Sequence, residues 1–308
     1  MPELPDIQLY LDALDSRVVG QRLESVRLKS PFVLRSVDPP ISAIEGLTVR
    51  ALRRIGKRIV LGFADAGRGE DLFLVVHLMI AGRFQWKEDA GRSPGKILLA
   101  EFQFAHGRLL MTEAASRKRA SIHVVRGEPA LCAFDRGGLE VLGSSFDDFR
   151  AALTRENHTL KRALTDPRIL SGIGNAYSDE ILHRAKQSPF RQTRRLDSEE
   201  LHVLHAAVKG VLDAWIVLLR DQAKGAWPKK VTAFRSEMAV HGKYGEPCPV
   251  CGDPVQRILY AENEANYCAT CQTGGKLLAD RVLSKLLKDD WPKTLDELEE
   301  RRDRLRKG

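Results

Sequence analysis

Cysteine and long apolar runs are both scarce in this sequence of 308 residues. Four of the five cysteines fall within residues 248–271, which excludes a network of structural disulfides and favours a metal site in a reducing compartment. No uninterrupted apolar run approaches the roughly 18 to 20 residues that cross a bilayer, and the start of the chain lacks the charged and apolar regions of a signal peptide. The sequence has no internal repeat or low-complexity tract. These absences predict a cytoplasmic protein.

Positive charge is in modest excess. Lys and Arg total 49 against 41 for Asp and Glu, so the net charge is +8 and the isoelectric point lies near 9.3. Such an excess suits a polyanionic partner, either nucleic acid or an anionic membrane surface. The length is about twice that of a usual domain, so we expect two domains, or two domains plus a small module.

The first part of the chain has a helical pattern followed by β-rich segments. From Asp6, apolar residues recur at helical spacing until Gly20 ends the run. Short β-rich segments separated by turn residues then predict an antiparallel sandwich or barrel. They cover residues 47–52, 58–63, 72–78, 83–86, 97–104, 109–112 and 121–125.

Near residues 136–145 the pattern becomes helical, which predicts a domain boundary. The fold class is therefore α+β. The segments predicted from these changes are residues 1–135, 146–236, 237–276 and 277–308. The last segment is predicted to form one or two amphipathic helices, of which residues 295–307 are charged enough to be solvated.

Four cysteines have the spacing of a zinc ribbon. Cys248 and Cys251 form one pair, and Cys268 and Cys271 form the second pair sixteen residues later. Each pair is predicted to sit on a tight turn, with a β-hairpin over residues 256–267 between them. A closed four-thiolate site predicts one structural Zn²⁺ that performs no chemistry. Cys132 is left over and is predicted to be a small core residue.

A glycine-rich segment precedes a predicted helix. Residues 170–177 read Leu-Ser-Gly-Ile-Gly-Asn-Ala-Tyr, and the helical pattern continues through Leu182. Backbone amides at such a helix start bind phosphate, and glycines let a nucleic-acid backbone approach closely. Asn175 would add a side-chain donor. On the residues alone, a phosphate-binding loop and a plain helix-turn-helix corner are equal alternatives.

The start of the chain carries a candidate nucleophile. Removal of Met1 would leave Pro2 as a secondary amine. An α-amino group titrates near pH 8, so a useful fraction is unprotonated at neutral pH and can attack a sugar C1′ to form a Schiff base. Glu3 could then protonate the opened sugar or shuttle protons. Without further context, an ordinary second residue is the better interpretation of Pro2.

Taken together, these segments resemble the formamidopyrimidine-DNA glycosylase and endonuclease VIII family, which excises oxidised bases and cleaves the abasic strand. The likeness covers about residues 1–276, in the family's order. The start of the chain is closer to the formamidopyrimidine branch, since Leu4 stands where the other branch has Gly, although Asp6 replaces the usual Glu. The resemblance implies a catalytic β-sandwich with an N-terminal helix, a helix-two-turn-helix domain, a zinc-finger hairpin, and double-stranded DNA bound by a monomer.

The resemblance also implies roles for single residues in the first domain. Lys57 matches a hairpin lysine that contacts phosphate beside the lesion and assists the chemistry of Pro2 and Glu3. His77 matches a phosphate-contacting histidine. Ile80 takes the position of the side chain that fills the gap left by the flipped-out base, offsetting part of an unstacking cost of roughly a few kcal/mol.

Further family positions are implied to hold the DNA backbone. Lys161 and Asn175 fit the helix-two-turn-helix and would contact phosphates, and Glu180 would tie that turn together. Arg117 and Arg119 would reach toward the strand opposite the lesion. A loop capping the damaged base is expected within residues 222–236.

Two departures from the family pattern affect DNA contacts. The family has an Arg five residues before the third cysteine, where this chain has Asn263 between Glu262 and Glu264. Asn263 therefore takes this DNA-binding position, but its amide cannot supply a bidentate cationic fork. The loop that usually carries an Arg and a Phe has Ala120 in place of the aromatic residue.

The first hypothesis is a glycosylase and abasic-site lyase of base excision repair that acts through a Pro2 Schiff base, followed by β-elimination and δ-elimination. It would work in the cytoplasm of a bacterial cell, on the nucleoid. A second hypothesis is a DNA-binding protein that recognises abasic or distorted DNA without excising bases. A third is a family enzyme with a shifted substrate, such as oxidised pyrimidines, abasic sites, single strands or bulky adducts.

Overall fold

The computed structural model divides into two compact units. By contacts, Met1–Gly138 groups with Asp213–Ala233, and Leu139–Leu212 groups with Phe234–Gly308. The domain bounds predicted from sequence follow motifs rather than contacts and stay a prediction. The structure describes residues 1–64, 69–88, 94–229, 231–260, 263–279, 291–298, 300 and 301, and it leaves the side chains of residues 260 and 263 undescribed.

The first unit begins with helix α1, Leu4–Val18. It starts two residues before the apolar pattern because Glu3 and Asp6 form a reciprocal capping box that satisfies backbone N–H groups of the first turn. Ile7, Tyr10 and Leu14 are buried along one face, as the helical spacing predicts.

Two antiparallel sheets follow and form the predicted sandwich. One has strand order β1-β6-β7-β5 and the other has β2-β3-β4-β8. The strands are β1 Leu23–Leu28, β2 Val49–Ile55, β3 Arg58–Phe63, β4 Leu72–His77, β5 Gly82–Lys87, β6 Leu98–Phe104, β7 Gly107–Glu113 and β8 Ser121–Arg126. All seven β-rich segments are strands with ends shifted by a few residues, and β1 is an additional strand.

The missed strand β1 lies at the edge of its sheet. In this strand only Leu23 is buried, whereas the charged residues Glu24 and Arg27 are exposed. An edge strand needs few apolar residues because one side faces solvent, so the sequence gives little periodic signal there.

The main core lies between the two sheets. Strands β3 and β4 are buried along almost their whole length, because a second cluster of Val60, Phe73, Val75 and Leu131 packs on their outer face. Leu131 comes from helix α2, Gly127–Cys132. The prediction that Cys132 is a core residue is wrong, since Cys132 is exposed at the end of this helix. Its neighbour Leu131 is the residue that faces the core.

The second unit is mainly helical in its first part. Its helices are α3 Phe146–Thr154, α4 Leu160–Thr165, α5 Asn175–Arg184 and the first half of α6 Ser198–Ala223. Ser145 caps α3 by accepting a hydrogen bond from the backbone N–H of Asp148 at 3.1 Å.

Helix α6 is long and apolar enough, by length and composition alone, to cross a membrane, with a window of mean hydropathy 1.5. The sequence pattern did not predict this, because Lys209 and Asp213 interrupt the apolar run. Its buried residues recur every three or four positions, which is the spacing of a helix that turns one face to a protein core. They are Leu201, Leu204, Val208, Leu212, Trp215 and Leu219.

A small two-stranded ribbon ends the described fold. Strands β9, Gln256–Tyr260, and β10, Asn263–Tyr267, pair antiparallel as predicted, and helix α7, Ala269–Thr273, follows. Of the predicted tail helices, residues 295–298, 300 and 301 are helical. Residues 280–290 and 302–308, with Glu262, lie outside the described residues.

Replacing Gly82 by alanine should destabilise the first unit. The added Cβ would lie 2.2 Å from the carbonyl oxygen of Leu78, and backbone atoms cannot move aside as a flexible side chain would. We expect Gly82→Ala to lower the free energy of unfolding by roughly 1–3 kcal/mol or more, measured by denaturant titration. Gly143→Ala is the control, because no heavy atom lies within 4 Å of its added carbon. Equal stability of both variants would contradict the packing argument.

Candidate active site and zinc centre

The start of the chain is held at the N-terminus of α1. Pro2 and Glu3 are both buried, and Glu3 is the N-cap residue. The backbone N–H of Glu3 donates to the carboxylate of Asp6 at 3.0 Å, and the Glu3 side chain accepts from the backbone of Asp6. Asp6, which replaces the family's Glu, is thus one half of the capping box. This arrangement fixes the first residues of the chain relative to the helix.

The surroundings lower the pKa of the terminal amine. With Met1 in place, burial is the largest cause, and the cations Arg83 and Lys57 lower the pKa further, while the carboxylates of Glu3 and Asp6 oppose them. A lower pKa raises the fraction of unprotonated amine at neutral pH. The predicted pair of Pro2 and Glu3 therefore lies in an environment suited to an amine nucleophile.

Lys57 and His77 are neighbours at one end of the second sheet. Lys57 lies in the turn between β2 and β3, where Gly56 has a φ of +58°. His77 ends β4 opposite Arg58. Burial, followed by the charges of Arg58, Lys57 and His123, lowers the pKa of His77 from its ordinary 6.5 to about 4. The ring is therefore neutral at neutral pH and surrounded by positive charge.

Ile80 lies at the tip of the tight connection between β4 and β5. Met79 beside it has a left-handed φ of +53°, and the N–H of Gly82 donates to the Leu78 carbonyl at 2.9 Å. The Arg83 guanidinium donates to the carbonyl of Ile80 at 3.1 Å. Ile80 is 52% exposed, so its side chain is presented to solvent on a fixed backbone.

The loop between β7 and β8 is organised by one buried carboxylate. Glu113 is 1% exposed and accepts hydrogen bonds from the backbone N–H groups of Arg119 and Ala120 at 3.0 and 3.2 Å. Arg117 is exposed and Arg119 is half-buried. Ala120 is buried.

In the second unit, Asn175 is the first residue of α5, after the N-cap Gly174. Its side-chain amide donates to the backbone carbonyl of Glu264 on β10 at 2.7 Å. The helix start is therefore tied to the hairpin by the residue predicted to bind phosphate. Asn263 pairs with Tyr260 through the backbone, while its predicted DNA-binding side chain lies outside the described residues.

Lys161 makes three contacts inside the second unit. Its ammonium group is buried and donates to the carbonyl of Asn175 at 2.8 Å, to the Ser178 hydroxyl at 2.8 Å and to the carboxylate of Asp179 at 2.6 Å. A lysine has three N–H donors, and these three acceptors account for them. Lys161 is therefore a structural ion-pair residue, and its contact with phosphate stays a prediction.

Adjacent carboxylates on α5 hold the segment that leads to the cysteines. Asp179 also contacts the ring of His241, with Nδ1 and Oδ2 2.7 Å apart. Glu180 accepts hydrogen bonds from the backbone N–H groups of Ala239, Val240 and His241 at 2.7, 2.9 and 2.9 Å. Glu180 thus ties the helix to residues 239–241 rather than only to its own turn.

The four cysteines form a site that fits one Zn²⁺. Their sulfur atoms all lie within 4.8 Å of one another, with 3.4 Å between Cys251 and Cys268 and 4.0 Å between Cys248 and Cys271. Tetrahedral Zn²⁺ with Zn–S bonds of about 2.3 Å requires sulfurs this close. Nε2 of His183 on α5 lies 3.2 Å from Sγ of Cys248, so a helix side chain supports one ligand.

Three family domains match this chain in order. They are the formamidopyrimidine-DNA glycosylase N-terminal domain over residues 1–120, its H2TH domain over residues 138–223, and the zinc finger found in FPG and IleRS over residues 245–274. The formamidopyrimidine-DNA glycosylase of Desulforamulus reducens is 32% identical over 282 residues, covering 88% of this chain and 99% of the relative.

The chain belongs to the formamidopyrimidine-DNA glycosylase family. It is a DNA glycosylase and abasic-site lyase with a structural zinc ion.

Other relatives match different shares of the chain. An uncharacterized formamidopyrimidine-DNA glycosylase-like protein of Mycobacterium tuberculosis is 45% identical over 151 residues, which is 49% of this chain and 94% of that protein. The crystal structure of the Lactococcus lactis glycosylase with DNA containing an abasic site superposes with a TM-score of 0.76 at 28% identity. That comparison covers 88% of this chain and 99% of the other.

Sequence patterns missed several residues of this glycosylase that position its site. Asp179 and His241 are 62 residues apart, and no spacing links them. His183 lies on a helix whose periodic pattern gives no reason to look for a zinc neighbour. The pairing of Lys161 with Asp179 also has no local signature, since α4 and α5 meet only in the fold.

Lys161→Met should unfold the second unit more easily. The change leaves the carboxylate of Asp179 buried without its ammonium partner, and breaking a buried pair costs roughly 3–5 kcal/mol. We expect denaturant titration to show a loss of that order, with part of it recovered in Lys161→Met/Asp179→Leu. Arg162→Met, an exposed neighbour on the same helix, is the control. A fully stable Lys161→Met protein with weakened DNA binding would contradict the structural role and favour the predicted phosphate contact.

His77 should titrate far below an ordinary histidine. We expect its ring NMR signals to shift with a midpoint near pH 4, because burial and nearby cations oppose protonation. Unfolded chains bind this proton near pH 6.5, so the stability that His77 contributes falls as pH drops below 6.5, and the loss is complete near pH 4. His77→Asn identifies the signals. A midpoint at or above 6.5 would contradict the proposed environment.

Proposed function

We propose that this glycosylase uses the amine of Pro2, exposed by removal of Met1, to attack the C1′ atom of a damaged deoxynucleotide. The observation that carries the proposal is the place of Pro2 and Glu3, buried at the capped start of α1 beside Lys57 and Arg83. An amine held there is oriented by the helix and kept partly unprotonated by burial and positive charge.

The steps follow from the groups in this environment. The lone pair of the Pro2 nitrogen forms a bond to C1′, and the bond from C1′ to the base breaks as the base leaves with its electron pair and takes a proton. The sugar ring opens, and Glu3 protonates O4′ as the iminium forms. Loss of a C2′ proton then expels the 3′ phosphate by β-elimination, and δ-elimination expels the 5′ phosphate.

The remaining predicted residues would hold the DNA. Lys57 and neutral His77 would contact phosphates near the lesion, and Ile80, exposed on its rigid turn, would fill the gap left by the everted base. Arg117 and Arg119 would reach the opposite strand. In the second unit, Asn175 and the neutral Asn263 would supply amide donors to the backbone, while Lys161 positions Asn175 through its carbonyl.

Solved structures of a relative support a proposal for the substrate class. Structures of the Lactococcus lactis glycosylase hold DNA with an abasic site, with Fapy-dG and with an oxidized pyrimidine. We propose that this chain acts on double-stranded DNA with such lesions, in the cytoplasm and at the nucleoid.

The zinc hairpin favours a shifted substrate within this class. The described hairpin strands carry one cation, Arg257, which stacks over Tyr244 at 4.2 Å and lies 3.6 Å from the carboxylate of Glu264. With Asn263 in place of the family's Arg, the hairpin holds phosphate less strongly. Lesions that already distort or open the duplex require weaker contacts between the protein and the DNA backbone. We therefore expect abasic sites to be processed better than intact oxidised purines.

Borohydride trapping tests the Pro2 mechanism. The Met-processed protein, verified by mass spectrometry, is incubated with duplexes carrying an abasic site, 8-oxoguanine or an oxidised pyrimidine. We expect a covalent complex that is strongest with the abasic site, because reduction fixes the iminium. Pro2→Gly should lower trapping at least about tenfold, equivalent to roughly 1.4 kcal/mol of transition-state stabilisation.

The control variant is Pro5→Ala, which changes a neighbouring proline in α1 and leaves the amine in place. It should trap like the parent protein. Tight binding to all duplexes without any trapped complex would overturn the Pro2 mechanism and leave a protein that recognises damaged DNA without excising it.

A further inference from the structure

The first unit has a second polar surface, at the end of its second sheet that lies away from His77. At this end Leu72 pairs with Phe63 on one side and with Arg126 on the other. His77 pairs with Arg58 at the opposite end of the same strands. Strands of six residues span about 17 Å, so a small ligand held at this end does not touch the residues proposed for excision.

A cavity of about 770 Å³ opens between this end of the sheet and the segment that precedes β2. Its volume falls within the range of small-ligand sites, about 300–1,000 Å³. Three of the side chains that line it are arginines, two carry hydroxyl groups and one is a carboxylate. They are Arg22, Arg50, Arg126, Ser42, Thr48 and Glu45. None of them has a role in the excision chemistry or the DNA contacts proposed above.

Backbone hydrogen bonds fix one wall of this cavity. Arg22 and Thr48 form an antiparallel bridge. The N–H of Gly46 donates to the carbonyl of Leu23 at 2.7 Å, and Gly46 has a left-handed φ of +78°. A Cβ on Gly46 would lie 3.1 Å from Nη2 of Arg22, so the missing side chain leaves room for this guanidinium beside the turn. A wall that is ordered before the ligand arrives lowers the entropic cost of binding.

Positive charge is in excess around the cavity. Arg22, Arg50 and Arg126 are exposed, and neither Arg22 nor Arg50 forms an ion pair with any residue that the structure describes. Arg126 donates to the backbone carbonyl of Glu70 at 3.4 Å, which is an uncharged acceptor. The lining carboxylate, Glu45, accepts a hydrogen bond from the backbone N–H of Val26 through Oε1 at 2.7 Å. Its second oxygen, Oε2, is available to a ligand.

These groups suit a phosphorylated sugar. Guanidinium groups bind phosphate oxygens through paired N–H donors, and three of them around one cavity favour a ligand with more than one phosphate. The carboxylate of Glu45 repels a bare anion but accepts a hydrogen bond from a sugar hydroxyl group. None of the described residues that line the cavity is aromatic, so it offers no ring on which a nucleobase could stack.

We propose that this cavity binds a free sugar bisphosphate, with its phosphates on Arg22, Arg50 and Arg126 and a hydroxyl group on Glu45. The backbone of DNA also carries sugars and phosphates, but deoxyribose within a strand has no free hydroxyl group to donate to Glu45. The concave shape also suits a small compound better than a duplex. The proposal does not depend on the Schiff-base mechanism.

Isothermal titration calorimetry of the full zinc-loaded chain tests the site, with fructose 1,6-bisphosphate as the probe at fixed ionic strength. Fructose tests the need for phosphate, and pyrophosphate tests the need for hydroxyl groups. We expect the bisphosphate to bind at one site, fructose not to bind, and pyrophosphate to bind at least about fivefold more weakly, because Glu45 repels it. An undamaged duplex should not displace the bisphosphate.

Variants locate the binding. Arg22→Met/Arg50→Met should weaken binding of fructose 1,6-bisphosphate roughly tenfold, because two charged hydrogen-bond donors are lost. Arg27→Met is the matched control, since Arg27 is exposed on β1 and lies outside the cavity lining. Glu45→Gln should strengthen binding of pyrophosphate, because the repulsion disappears while an amide oxygen can still accept from Val26. The double arginine variant should give parental borohydride trapping on an abasic duplex, which separates this site from excision.

Four results would overturn the proposal. They are no binding of fructose 1,6-bisphosphate, equal affinity of the folded double variant and its parent, equal affinity for pyrophosphate and the bisphosphate, and displacement of the bisphosphate by the undamaged duplex. The third result would make the cavity a site for any anion, and the fourth would make it a contact for the DNA backbone. Circular dichroism establishes that the double variant is folded, and the two single variants replace it if it is not.

Discussion

The second unit depends on the buried carboxylate of Asp179. Taking this charge out of water is costly, and the cost is offset because Lys161 and His241 both bind it at hydrogen-bond distance. The same lysine donates to the backbone carbonyl of Asn175. The neighbouring Glu180 accepts a hydrogen bond from the backbone N–H of Val240, in the segment that precedes the cysteines. One pair of acidic residues on α5 thus orients both the start of this helix and the segment that leads to the zinc centre.

In the first unit, the surroundings of a residue determine its protonation state more than its residue type does. Pro2, Glu3 and Lys57 are ordinary residue types. The reactivity proposed for them rests on the capped helix and the hairpin turn, which hold them in a partly buried, positively charged environment. His77 shows the same effect, since burial and nearby cations lower its pKa and keep its ring uncharged. The sandwich provides the rigid support for both.

Local patterns predicted the parts of this protein whose physics is local. The cysteine spacing predicted the ribbon, strand periodicity predicted seven strands, and the first six residues pointed to the correct family. Edge strand β1 was missed because half of its surface faces solvent. The ion pair of Lys161 with Asp179 was not predicted, because the burial of Lys161 and its partner on α5 come from tertiary packing.

The hydrogen bond from Asn175 to the carbonyl of Glu264 makes the start of α5 dependent on the zinc-bound hairpin. The acceptor lies on a hairpin enclosed by the two cysteine pairs, and ribbons of this kind take up their fold with the ion. In a chain synthesised during zinc starvation, Asn175 would therefore lack its support. The DNA contact proposed for Asn175 would then depend on the supply of zinc.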